Sequence, residues 1–563
     1  MFKDQLLQDL KDTVKDLGFV VPPDIVLSIP QNPKFGDYSS NIPLQLSKQT
    51  HKNSYQNPQQ IANAILKTLG HPAYLEHVEV AGPGFINFFI KDSSLAEILE
   101  PSKRHPELVS GSKKKILIEY GHVNLLKEIH IGHLRTFILG ESLARILEYL
   151  GNDVFRANYQ GDIGLHIAKA VWGIRKLGLP SQELSLEDKA KFLGQAYAQG
   201  NLDYDQDHKA KHDIDSINLK LYEKAPEFEE VYKLAREWSL EYFSPIYDLL
   251  GIKYDRCFFE SEVYEEGKKI VLENVGKVFK QDNGAIVFPG EEYGLHTRVF
   301  IASKGNPTYE AKDIGLAQAE FEAFPYDLSI HVVASEQEGY FKVVIKAIEI
   351  LFPHLVGKKY HLSYGFVDLK EGKMSSRTGN VITVDDLMKV VSEKLREVMS
   401  KSKGQVDQEI VKKLSIAAIK FSYLKVSPTP NLTFDLDSSV SLTGDSGPYV
   451  MYSFVRTQSI LKKANKDEFK FDPAKLELSS HERELLRLLE YFNYHVEQAS
   501  INYHPNEIAS YLIELSKLFN SFYESTPILN TKEENFRLSV VKKVGETLKT
   551  GLNLLGIETV EKM

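Results

Sequence analysis

The sequence predicts an α/β protein in three parts: a small N-terminal α/β domain, a parallel-sheet domain interrupted by helices, and a C-terminal all-α helical bundle. Three observations carry this reading. Between 115 and 160 a strand-like run, a loop, a helical pattern and a second strand-like run follow in order, which is a βαβ unit and implies a parallel sheet. Residues 176–250 are charged and helical in pattern, and they read as an insertion. From about 408 to 560 the pattern is almost wholly helical, as in IVKKLSIAAIKFSYLKV and RELLRLLEYFNYHVEQA.

Taken in order, residues 1–20 place Leu, Val and Phe at helical spacing among charges, giving one amphipathic helix. PQNPKFGDYSS (30–40) is a turn-rich loop, and a second helix covers about 58–69. HVEVAGPGFINFFI (77–90) reads as two strands around the turn Gly82-Pro83-Gly84. This first domain spans 1–95, and PSKRHPELVSGSKKK (101–115) has linker composition. KILIEYG (115–121) opens the second domain, 112–390, as a buried strand. In the helix that follows, Leu134, Phe137, Ile138, Leu143, Ile146, Leu147 and Leu150 are expected to form one buried face, with Gly151 ending it. NDVFRANYQ (152–160), CFFESEV (257–263), GAIVFPG (284–290), TRVFIAS (297–303) and LSIHVVAS (328–335) read as strands. The helical C-terminal domain spans 405–563.

The chain has 563 residues, 42% hydrophobic and 26% charged, enough for several domains with sizeable cores. Its one cysteine, Cys257, excludes an intrachain disulfide and a four-cysteine zinc site, and points to a reducing, cytoplasmic compartment. No apolar run reaches 18 residues, so a membrane span is not expected, and the N-terminus lacks the apolar core of a signal peptide. The net charge of −9 disfavours a nucleic-acid partner only weakly, because binding depends on local patches.

The chemistry concentrates in HVNLLKEIHIGHLRTF (122–137). His130 and His133 lie three apart where a buried strand ends and a helix begins, so both address one ligand. A helix N-terminus offers free N–H groups and a positive dipole end, Gly132 lets a ligand approach the backbone, and Lys127 adds positive charge. A metal would need further ligands, and neither a His-Glu-x-x-His motif nor a cysteine pair exists. The group suits a polyphosphate better, although a plain helix start with surface histidines also fits it taken alone. A second stretch, GKMSSRTGN (372–380), packs Lys373, Ser375, Ser376, Arg377 and Thr378 between glycines. A cationic, hydroxyl-rich loop of this kind suits a flap over departing phosphates.

His-Ile-Gly-His (130–133) together with Lys-Met-Ser-Ser-Arg (373–377) resembles the signature pair of class I aminoacyl-tRNA synthetases. The chain as a whole resembles arginyl-tRNA synthetases over nearly its full length. PQNPKFGDYSSNIPLQLSK, VEVAGPGFINFFI, Asn124-x-x-Lys127-x-x-His130-x-Gly132-His133, YEAKDIGLA (309–317), ASEQ (334–337) and SGPYVMYSFVRTQSIL (446–461) carry the resemblance in order.

The resemblance implies a Rossmann-type catalytic domain, an N-terminal domain that contacts tRNA and a helical anticodon-binding domain. It implies formation of arginyl-adenylate from ATP and L-arginine, then transfer to the arginine tRNA, with Mg²⁺ escorting ATP. Lys127, His130, Gly132 and His133 would hold ATP, with Lys373, Met374, Ser375 and Ser376 contributed by the flap. Asn124 and Gln337 would hold the backbone end of arginine. Glu260, Tyr309 and Asp313 would face its guanidinium, which has five donors and no acceptor. Tyr449, Tyr452 and Arg456, at helical spacing, would meet anticodon bases, although packing inside the bundle explains each tyrosine equally well. The family is usually monomeric.

The chain departs from the family pattern at three places. Ser376 stands where a second flap lysine is common, with Lys127 expected to replace its charge. His122 stands where Ser is common, and His166 where Gln is. A non-catalytic tRNA-binding or regulatory protein on the same fold is the alternative reading, because fold alone does not guarantee activity. A different class I specificity would predict a pocket without two carboxylates.

Overall fold

The computed structural model describes residues 2–49, 55, 57–100, 113–180, 183–370, 382–400, 407–466 and 468–563. The first helix, Phe2–Asp16, buries Phe2, Leu6, Leu10 and Val14, the face its spacing predicts. Strands β1 (Leu27–Ser28), β2 (Tyr38–Ser40), β3 (Leu75–Ala81) and β4 (Phe85–Ile90) form an antiparallel sheet in the order β1-β2-β4-β3. Helix Pro58–Leu69 packs beside them. The sheet is tied to the far end of the chain. Asp37 sits between Arg483 and Arg487, which donate to its two carboxylate oxygens, and the Tyr491 hydroxyl donates to its carbonyl at 2.7 Å.

Strands β5 (Lys115–Glu119), β6 (Asp153–Gln160) and β7 (Arg256–Phe259) begin the central sheet. Strands β8 (Lys280–Asp282), β9 (Ala285–Phe288) and β10 (Arg298–Ile301) form a separate antiparallel sheet in the order β10-β9-β8. Strands β11 (Leu328–Ala334) and β12 (Lys359–Tyr364) complete the central sheet, whose order is β12-β11-β5-β6-β7 with every pair parallel. Ile116, Leu117 and Ile118 are all buried, as a parallel strand covered on both faces requires. From β5 the chain moves outward to β6 and β7, and later returns on the other side through β11 and β12. The crevice at the carboxyl ends of β5 and β11 is therefore a topological switch point, where ligands of open α/β sheets bind.

Three expectations are corrected. Helix Ile131–Tyr149 is not buried on one face only, since Arg135, Thr136, Gly140, Glu141, Ser142 and Ala144 are buried as well. The C-terminal helices Gln408–Leu424, Phe492–Asn502 and Glu534–Leu554 pack on its other sides, and the Ser142 hydroxyl donates to Leu554 O at 2.9 Å. CFFESEV is not one strand: β7 stops at Phe259, and Glu260 opens helix Glu260–Glu273. The buried Asp162 carboxylate forces the change by accepting Ser261 N–H at 2.8 Å and Ser261 Oγ at 2.6 Å, an acid at a helix N-terminus. The helical interruption also begins earlier than 176, with Leu165–Leu177, followed by Leu186–Gln206, His208–Tyr222 and Pro226–Leu249.

Short strands β13 (Val367–Leu369) and β14 (Leu432–Phe434) pair in parallel, a small addition to the otherwise helical C-terminal part. Its longer helices are Gln408–Leu424, Gly447–Ala464, Ser480–Glu490, Phe492–Asn502, Asn506–Ser525 and Glu534–Leu554. No described helix is long and apolar enough to cross a membrane.

Candidate active site

The loop after β5 carries Asn124 and Lys127 and ends on the two histidines. His130 is the N-cap of helix Ile131–Tyr149. Its Nδ1 accepts the Gly132 N–H at 3.1 Å, while His133 Nδ1 accepts the His130 N–H at 3.2 Å. The rings stack with centroids 3.6 Å apart. Each Nδ1 acts as an acceptor, so in a neutral ring the proton sits on Nε2. Burial and the neighbouring Lys127 lower His130, and burial, His130 and Lys127 lower His133 to about 3. At neutral pH the pair therefore offers two Nε2–H donors and no charge. Gly132 also has a local role, because a Cβ there would lie 3.0 Å from His130 Cε1 and press on the ring. The positive charge comes from Lys127, whose ammonium lies 4.5 Å above the Tyr197 ring of helix Leu186–Gln206.

The four flap residues of the sequence reading, Lys373, Met374, Ser375 and Ser376, lie outside the described residues, but the chain on either side of them is described. On one side, buried Arg135 donates to the carbonyls of Phe366, Ser427, Pro428 and Pro430. On the other, His130 and Thr383 form an isolated antiparallel bridge, with Ile131 N–H donating to Ile382 O and Val384 N–H to Ile129 O, both at 3.1 Å. Both flanks of GKMSSRTGN are thus fastened to the histidine stretch.

On the other side of the crevice lie Glu260, Tyr309 and Asp313. Tyr309 is 52% exposed at the start of helix Tyr309–Ala323. Asp313 accepts the Tyr340 hydroxyl at 2.7 Å and has no cationic partner among the described residues. Burial, reinforced by Glu119, Glu310 and Glu260, holds it well above the usual carboxylate range despite Tyr340. Glu260 is already paired, since Lys312 Nζ lies 2.6 Å from its Oε2 and 3.1 Å from Ile163 O. Burial lifts Glu260 to about 7 against that pull, and Glu260 holds Lys312 at about 12 against its own burial. The buried Tyr159 hydroxyl has no hydrogen-bond partner among the described residues and carries the field of Glu260 and Asp313.

Asn124 lies against the loop after β6. A Cβ on Gly161 would fall 2.2 Å from Asn124 Oδ1, so only glycine allows the approach. Gln337 closes the short 3₁₀ turn Ser335–Gln337 after β11, across the switch point from Asn124.

A model of the class I (R) tRNA synthetase catalytic domain matches residues 94–436, more than half of the chain. The chain belongs to the arginyl-tRNA synthetase family. Models of the arginyl-tRNA synthetase N-terminal domain and of the DALR anticodon-binding domain match residues 4–90 and 450–563. Arginine--tRNA ligase of Treponema denticola is 32% identical over 97% of this chain and 96% of its own length. The Clostridium perfringens enzyme of the same name is 30% identical, over 96% of both chains. The solved structure of Thermus thermophilus arginyl-tRNA synthetase superposes with a TM-score of 0.85 at 26% identity, covering both chains completely.

In this family member, Tyr449, Tyr452 and Arg456 lie on helix Gly447–Ala464, and the structure adds two residues to the group. Arg456 lies 4.8 Å from the ring centroids of both Tyr452 and Tyr523, which are 38% and 41% exposed. Asn520 bridges the Arg456 guanidinium and the Tyr449 hydroxyl at 2.7 and 3.1 Å. Sequence reading missed Asn520 and Tyr523 because they lie on another helix, Asn506–Ser525. It also missed Tyr340, although Lys312 and Asp162 stood inside motifs already singled out, YEAKD and GDIGL.

Proposed function

We propose that this chain attaches L-arginine to its tRNA through an arginyl-adenylate. An arginine carboxylate oxygen attacks the α-phosphorus of ATP, and the bond to the β-phosphate breaks to release pyrophosphate. A ribose hydroxyl of the terminal adenosine of the arginine tRNA then attacks the arginyl carbonyl, and AMP leaves. Such displacements need positioning and charge neutralisation more than covalent help.

The observation that carries this reading is the bridge between His130 and Thr383, because it couples a neutral donor pair to the flank of a lysine- and serine-rich loop. Lys127, His130, Gly132 and His133 serve the ATP phosphates, and Lys373, Met374, Ser375 and Ser376 close over them. The phosphate side carries donors, so Mg²⁺ enters with ATP as part of the substrate and is held mainly by phosphate oxygens and water. Asn124 and Gln337 hold the backbone end of arginine. Asp313, a carboxylate with no cation of its own, takes the guanidinium beside Tyr309, and Glu260 adds a second carboxylate whose position Lys312 sets. A point-charged lysine side chain satisfies such a fork-shaped demand poorly. Tyr449, Tyr452 and Arg456 offer a surface on which anticodon bases stack, and the N-terminal domain contacts the tRNA body. The enzyme acts as a monomer in the cytoplasm.

ATP–pyrophosphate exchange with arginine and the arginine tRNA tests the proposal. Exchange that appears with arginine and not with lysine supports it, and its absence, or equal exchange with lysine, overturns it.

A further inference from the structure

His166 lies in the first turn of helix Leu165–Leu177 and is 9% exposed. Its Nε2 is 3.2 Å from Gly161 O. A carbonyl oxygen only accepts, so the ring proton sits on Nε2 and Nδ1 presents a lone pair. Burial, with Lys312 and Lys127 nearby, lowers the ring to about 4 despite the Gly161 carbonyl, which keeps it neutral. That Nδ1 is buried and has no hydrogen-bond partner among the described residues. Buried acceptors are nearly always satisfied, so this open lone pair asks for a donor.

The surroundings say which ligand. A Cβ on Gly161 would lie 2.2 Å from Asn124 Oδ1 and 3.3 Å from His166 Nε2. A Cβ on Gly164 would lie 3.6 Å from both His166 Nδ1 and Lys312 Nζ. The ring thus spans the gap between Asn124, assigned to the backbone end of arginine, and the Lys312–Glu260 pair at its side-chain end. Lys312 is a nearby charged donor, and its Nζ is already committed to Glu260 Oε2 at 2.6 Å and Ile163 O at 3.1 Å. We propose that His166 Nδ1 accepts a hydrogen bond from an N–H of the bound arginine, making it a substrate-binding residue. This rests on the arginine reading of the pocket given above.

The test compares the full-length wild type, H166F and H166Q in ATP–pyrophosphate exchange with the arginine tRNA, and in direct calorimetric binding of arginine. Phenylalanine keeps the ring without the acceptor, and Leu125 N–H still satisfies Gly161 O at 3.0 Å. Glutamine restores one donor and one acceptor. H166F should raise KM and Kd for arginine roughly 10- to 100-fold with KM for ATP unchanged, and H166Q should recover most of the loss. If H166F does not fold, H166L carries the same expectation. Repeating the binding with the analogue lacking the α-amino group locates the donor: a penalty that disappears assigns the α-ammonium, and one that persists assigns the guanidinium. Arginine constants in H166F equal to wild type, or KM values for arginine and ATP that rise together, overturn the inference while wild-type exchange leaves the function standing. A wild type that neither binds nor activates arginine overturns both.

Discussion

His130 and Thr383 face each other across an isolated antiparallel bridge, although most of the catalytic domain lies between them in sequence. The backbone bonds beside it, Ile131 N–H to Ile382 O and Val384 N–H to Ile129 O, make the histidine stretch and the flap flank one unit. The chain that follows the GKMSSRTGN stretch is therefore held against the histidines.

Removing one of these bonds should slow chemistry without weakening arginine binding. Val384 opens helix Val384–Ser400, where proline is tolerated, so V384P deletes the N–H bonded to Ile129 O and leaves the helix intact. The exchange kcat should fall about 10-fold, with KM for arginine unchanged. Steady-state exchange kinetics check this, and wild-type kcat would show that the bond does not position the flap.

Lys127→Ala should cut exchange on the order of 100-fold, the usual consequence of deleting one preorganised charge donor at developing phosphate charge. Its ammonium packs on Tyr197 at the surface of the crevice, so circular dichroism and the melting temperature should hardly change. Wild-type exchange in this variant would remove Lys127 from the phosphate site.

Asp313 makes a pH prediction. Its folded-state pKa is raised, so between the ordinary carboxylate range and that raised value the folded protein binds more protons than the unfolded chain. The stability contributed by this group is fully present below the unfolded pKa and is lost as pH rises through the folded one. Bound arginine supplies the missing cation, so its stabilising shift should grow with pH over the same window. D313N should raise the melting temperature of the empty protein at neutral pH and abolish the shift caused by arginine. Thermal melts with and without arginine from pH 5 to 8 measure both, and an unchanged arginine shift in D313N would contradict the assignment.

Tyr340→Phe removes the hydroxyl that fixes Asp313 at 2.7 Å. KM for arginine should rise about 10-fold and KM for ATP should not. Parallel titrations of the two substrates separate this from a general loss of structure.

Arg456→Ala collapses the stack between Tyr452 and Tyr523 far from the crevice. KM for tRNA should rise roughly 10- to 100-fold, with kcat for charging at saturating tRNA retained. Charging titrated with tRNA decides it, and an unchanged KM would return these tyrosines to packing.

Much of this was legible in the sequence because the period of apolar residues reports burial directly. KILIEYG reads as a strand covered on both faces, and β5 is one. Long-range effects were not legible. Helix Ile131–Tyr149 looked one-sided because three C-terminal helices supply the rest of its burial. CFFESEV looked like a strand because the Asp162 carboxylate that starts a helix at Glu260 comes from another loop. In the site, His130 and His133 stood out by type and spacing and Asp313 only through the family resemblance, whereas Tyr340 and the Lys312–Glu260 pairing depend on which elements the sheet order brings together.

The most direct test of the central claim is ATP–pyrophosphate exchange by the wild-type chain with the arginine tRNA present. Exchange that appears on adding arginine, and stays at background with lysine in its place, is the predicted result. No exchange with either amino acid, or equal exchange with both, would contradict it.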